Sequence, residues 1–69
     1  MTYWEAMTFA VSGKKIRRKS KPDFIYFMNA QSLFCYDGTM VKVVSLPEAD
    51  DVLADDWELS AQHNKEIYS

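Results

Sequence analysis

This 69-residue chain holds one cysteine, one histidine, two glycines and two prolines. The lone Cys35 excludes an intramolecular disulfide, and a single His63 leaves no Cys/His set of the spacing that zinc requires. No apolar run approaches the roughly 20 residues of a membrane span. The opening Met-Thr-Tyr-Trp-Glu is acidic where a signal peptide is basic. These absences predict a cytoplasmic protein with reduced Cys35 and no membrane partner. Excess positive charge is missing too: the net charge is −2, whereas a nucleic-acid domain is expected to have a pI above about 9.

What is present is apolar. Hydrophobic residues make up 48% and aromatics 14%, far from the composition of a disordered chain. A single domain of this size buries only about 60% of its unfolded surface, so it needs support. With disulfide and metal removed from the usual list, oligomerisation is the support that remains.

Tyr3, Ala6, Met7, Ala10 and Val11 form the stripe of an amphipathic helix. Thr2 and Glu5 make a capping box at its start, and Gly13 supplies a left-handed stop at its end. A short edge strand is predicted near residues 15 to 18, with Pro22 interrupting before the next element. Phe24 to Met28 read as a strand that is apolar on both faces, followed by a turn at Asn29, Ala30 and Gln31. Asp37-Gly38 predicts a type I′ hairpin that pairs Tyr36 with Thr39, Phe34 with Val41 and Ser32 with Val43. Pro47 precedes a short acidic helix over residues 48 to 54, and a last strand is expected over 56 to 59. The expected fold is therefore α+β: a small antiparallel sheet of four to five strands, an N-terminal helix and a short second helix near the C-terminus. It is one domain over residues 1 to 60, with a polar tail over 61 to 69. Two short helices leave one apolar sheet face bare, which predicts a homo-oligomer, a dimer or a tetramer.

Charge is segregated along the chain. Six of the eight cations lie at Lys14, Lys15, Arg17, Arg18, Lys19 and Lys21, and six of the ten acids lie at Glu48, Asp50, Asp51, Asp55, Asp56 and Glu58. The basic stretch supports two readings. Cations on an exposed edge strand block sheet-to-sheet aggregation. Alternatively, Arg17 or Arg18 holds phosphate oxygens with a forked guanidinium while Lys21 adds attraction; alternation allows only one of the two arginines to face a given pocket. Phe24, Tyr26, Tyr3, Trp4 and Phe34 offer rings for a nucleobase, or they fill the core. Asp51 and Asp56 can accept from ribose hydroxyls or serve as structural caps. The acids lack the loop pattern of an EF-hand, so no metal site is predicted. Neither His63 nor Cys35 begins a catalytic triad, and no catalytic residue or cofactor is predicted.

The segment from Pro47 to Leu59, with Asp51-Val-Leu-Ala-Asp-Asp-Trp57 at its centre, resembles the closing signature of the Thoeris anti-defence protein two-like family. Gly13-Lys-Lys-Ile-Arg-Arg18, placed after a helix, is similar to that family's Gly-x-x-Val-x-Arg. Together the resemblance covers residues 3 to 60. It implies a phage protein acting in the host cytoplasm, assembled as a homo-oligomer, that binds a cyclic ADP-ribose isomer or a cyclic oligonucleotide signal without cleaving it. By motif position Arg18 matches the family arginine, while Asp51, Asp56 and Trp57 match the closing signature. Lys21 stands where the family often has Trp, and Ser45-Leu46 stand where an aromatic often precedes the proline turn. A different class of function is a small phage protein that inhibits a host protein through its basic strand.

Overall fold

The structure, a computed structural model, describes residues 1–60. The polar tail expected over 61–69, with His63, lies outside the described residues. The elements run α1 (Tyr3–Val11), β1 (Ile16–Arg18), β2 (Lys21–Asn29), β3 (Ser32–Tyr36), β4 (Val41–Val43), α2 (Ala49–Leu53) and β5 (Trp57–Leu59). All pairings are antiparallel, and the sheet order is β4-β3-β2-β1-β5. This is the α+β fold expected from the sequence.

Local chemistry sets the ends of α1. The Thr2 hydroxyl accepts from the Glu5 amide while the Glu5 carboxylate accepts from the Thr2 amide, completing the capping box. At the other end the Gly13 amide donates to Ala10 O and the Lys14 amide to Phe9 O, a Schellman closure that needs the φ of 100° at Gly13. Tyr3, Ala6 and Ala10 face the sheet. Val11, counted in the apolar stripe, is exposed, because it is the last residue of the helix and has turned off the sheet.

Three sequence expectations need correction. β1 is not an edge strand: β5 returns to pair with it, Arg18 opposite Trp57 and Ile16 opposite Leu59, so β1 lies between β5 and β2. Pro22 does not precede β2 but lies within it. From Ile16↔Tyr26 to Arg18↔Lys21 the pairing advances five residues along β2 for two along β1, and Pro22, which has no N–H to offer, falls in that irregular stretch. The hairpin at Asp37-Gly38 is wider than predicted, with Tyr36 opposite Val41 and Phe34 opposite Val43. Gly38 has positive φ but Asp37 does not; the Asp37 carboxylate accepts from the Thr39 and Met40 amides and closes a four-residue loop instead. The register thus slips by two residues, and every side chain keeps its predicted face.

The two-residue hairpin occurs earlier. Asn29 pairs with Ser32, and Ala30 and Gln31 both take positive φ, 53° and 67°.

Four pairings align into one row across the sheet: Leu59, Ile16, Tyr26, Cys35 and Lys42. The row lies on the side that carries both helices. α1 packs on β5, β1 and β2, and under it Ile16 is fully buried beside Trp57, Tyr3, Ala6 and Ala10. A helix this short does not reach β3 and β4, so the row emerges from the core at Cys35 and ends at the exposed Lys42. On the opposite side of the sheet Phe27 stacks on Phe34, with ring centroids 5.7 Å apart, and Val41 and Val43 stay more than half exposed. No helix among the described residues is long and apolar enough to cross a membrane.

Candidate functional site

The uncovered end of the row forms the floor of a cavity of about 340 Å³. Tyr3, Tyr26 and Trp57 wall it on the core side, Leu33, Cys35 and Lys42 come from the β3–β4 hairpin, and the connection Val44–Pro47 with Glu48 and Asp51 closes it. The connection is placed by the Val44 amide, which donates to Leu33 O at 2.7 Å. The rings interlock edge to face: Trp57 to Tyr26 at 5.3 Å and Trp57 to Tyr3 at 5.7 Å.

Asp51 joins the cavity to the basic stretch. It is the buried residue of α2, 6% exposed, and it sits where the two segregated charge blocks meet. Arg18 Nη1 donates to Asp51 Oδ1 at 2.9 Å, and Arg18 Nε donates to Asp56 Oδ1 at 2.7 Å. Lys21 Nζ lies 3.4 Å from Asp50 Oδ2 and 3.5 Å from Asp51 Oδ1. The indole N–H of Trp57 donates to Asp51 O at 2.9 Å, and the Ser20 amide donates to Asp56 Oδ2 at 3.2 Å. Asp56 therefore ties the β1–β2 turn to β5, and Asp51 ties α2 to the sheet. α2 is moored by the charge of Asp51 and by Val52 against the core, while its Leu53 points to solvent.

The shifts in acidity follow these contacts. The Arg18 hydrogen bond holds the Asp56 carboxyl down at about 2, from an ordinary 3.8. The Lys21 hydrogen bond lowers Asp50, and the charge of Asp51 raises Lys21. Burial, reinforced by the neighbouring Cys35 and Asp51, pushes the Tyr26 phenol well above its usual range. Burial also raises the Cys35 thiol, with the Tyr26 hydrogen bond acting against it. Both groups stay protonated near neutral pH and offer X–H donors to the cavity floor.

The predicted site residues fall into three places. Arg18, Lys21, Asp51 and Asp56 come together in the ion-pair network, with Tyr26 beside it, its hydroxyl 3.5 Å from Asp51 Oδ2. Arg17 is on the opposite face, where its Nε donates to Glu58 Oε2 at 2.8 Å. Phe24 is 41% exposed and does not line the cavity. The reading of the basic stretch as edge protection fails with the edge assignment. Three of its six cations, Arg17, Arg18 and Lys21, are matched by acids. Glu48, Asp50 and Asp51 bring one carboxylate oxygen each within 4.8 Å of one another, but Lys21 and Arg18 supply the positive charge beside them. Of the cavity residues, sequence reasoning passed over Lys42, Glu48 and Ser45 as binding groups. Lys42 had a legible signal, being a cation at an alternating strand position on the same face as Cys35.

No protein family, curated protein or solved structure matches this chain. Fold and site together define a small α+β protein with one half-covered sheet face and an aromatic cavity at its open end.

Proposed function

We propose that the protein binds a cyclic nucleotide immune signal, a cyclic ADP-ribose isomer or a cyclic oligonucleotide, and holds it uncut. The observation that carries this reading is the cavity, in which three aromatic rings stand beside Lys42, Glu48 and Asp51. The half-buried Tyr26 ring supplies surface for a base with the buried Tyr3 and Trp57 packed behind it, carboxylates accept from ribose hydroxyls, and an ammonium attracts phosphate. The resemblance of Pro47–Leu59 and Gly13–Arg18 to the Thoeris anti-defence family supports the same ligand class and a phage origin. In this reading Arg18 acts by fixing Asp51 and Asp56, since its guanidinium already serves both. The exposed apolar end of the opposite face, Tyr36, Val41 and Val43, covers a second copy, giving a homo-oligomer.

The test is retention. Purified protein is mixed with each candidate signal, freed of unbound ligand, then heated, and the released molecules are identified by mass spectrometry. Intact signal is expected; a cleaved product, or no retention of any candidate, overturns the reading. Light scattering checks the assembly, and a stable monomer at micromolar concentration removes the second copy. The same bare face also favours a second reading, inhibition of a host protein by direct contact. A pull-down from host lysate that recovers one stoichiometric partner, with no small molecule retained, selects it.

A further inference from the structure

We infer that the cavity takes the nucleoside half of such a ligand and reads an N–H donor on a purine edge through Asp51, leaving the phosphates to Lys42 at the rim. The inference rests on the binding reading above and assigns chemistry within it.

Size is the first constraint. At about 340 Å³ the cavity is near the bottom of the range of about 300 to 1,000 Å³ over which pockets enclose small ligands. One nucleoside fits such a volume; a cyclic ADP-ribose isomer, with its second ribose and pyrophosphate, or a cyclic oligonucleotide does not, so part of it stays outside.

Charge decides which part. The cavity wall carries two carboxylates, Glu48 and Asp51, against the single ammonium of Lys42. The cations that would reverse this balance face acids: Arg18 serves Asp51 and Asp56, and Lys21 serves Asp50 and Asp51. A phosphate inside would meet like charge in a partly desolvated place, whereas a neutral base with N–H groups meets acceptors. Lys42 lies on exposed β4 at the far end of the row, where a phosphate outside can reach it while remaining hydrated.

Asp51 is built for the recognition. Its Oδ1 is occupied by Arg18 Nη1 at 2.9 Å, which fixes the carboxylate plane. Among the described residues its Oδ2 has only the Tyr26 hydroxyl, at 3.5 Å, the outer limit of a hydrogen bond. A buried carboxylate oxygen with so long a contact has capacity for a stronger donor. Because Arg18 holds the plane, that oxygen is presented without the entropy cost of ordering a free side chain.

Calorimetric titration of the full chain separates the possibilities. The probes are adenosine, guanosine, purine riboside, ADP and inorganic pyrophosphate, each against the unaltered protein and Lys42→Met. Adenosine or guanosine is expected to bind the unaltered protein. Purine riboside keeps the ring and ribose but lacks the exocyclic amino group, and is expected to bind about tenfold more weakly. ADP should exceed adenosine by a factor that Lys42→Met abolishes, and pyrophosphate should not compete. Purine riboside binding as tightly as both natural nucleosides, or pyrophosphate binding as tightly as ADP, overturns this inference while leaving sequestration standing. Retention of intact cyclic signal with no response to any nucleoside overturns it as well. Failure of every nucleotide and every cyclic signal removes both.

Discussion

The two ends of one transverse row behave as different materials. At the β5–β1–β2 end, Leu59, Ile16 and Tyr26 lie under or beside α1 and pack with Trp57, whereas at the β3–β4 end Cys35 and Lys42 lie in the same line with no helix above them among the described residues. Strand pairing is continuous across the row, so the contrast comes entirely from what covers it. A nine-residue helix is about 13.5 Å long at 1.5 Å per residue, too short to cap five strands. The closed end supplies stability and the open end a cavity, and Asp51 stands at the boundary with a contact to each.

The contrast is sharpest for truncations along the row. Ile16→Ala should cost about 2 to 5 kcal/mol in urea unfolding, as expected for a buried aliphatic side chain. An equal effect from truncating Lys42 would break the comparison.

The boundary is tested by the two arginines. Arg18→Met strips the partner from buried Asp51 and from Asp56, and should lower the melting temperature far more than Arg17→Met, whose loss is that of one half-exposed pair, about 0 to 1 kcal/mol. Equal melting temperatures would show that α2 is held by something other than charge.

Acid probes the same mooring. The folded Asp56 carboxyl is held at about 2 against an ordinary 3.8, so its pairing contributes stability above about pH 4 that disappears as pH falls toward 2. Acid unfolding followed through the Trp57 signal should therefore begin in that window. Asp56→Asn should be less stable at neutral pH and show a flatter fall below pH 4.

A smaller gain is expected at the β2–β3 turn. Replacing Ala30-Gln31 by Asn-Gly suits two positive φ values and should stabilise the protein by about 1 kcal/mol. Lys42→Ala completes the series with a change within about 0.5 kcal/mol, the usual range for a surface position.

Elements marked by local chemistry were legible in the sequence: the Thr2/Glu5 cap and Gly13 stop of α1, the acidic α2 after Pro47, and the strand ending in Leu59. What stayed hidden depends on distant partners. Whether β1 is an edge or an interior strand is decided by where β5 returns, more than 35 residues later in the chain. The β2–β3 hairpin was missed as a two-residue type because neither Ala30 nor Gln31 advertises positive φ, and tertiary pairing imposes it. At the site, Tyr26 and Asp51 were readable as chemistry-bearing residues. The meaning of Arg18 was not, although the two opposite charge blocks were complementary and their mutual pairing was the signal available.

The loop Asp37–Met40 has a consequence for how the chain can change. A three-residue loop that kept Tyr36 opposite Val41 would leave Lys42 and both valines on their present faces, whereas a slip of one residue between β3 and β4 would turn Lys42 onto the opposite face and send Val43 into the cavity. The cavity's charge is therefore guarded by the pairing and not by the length of the loop, and descendants of this chain can vary the loop freely as long as that pairing holds.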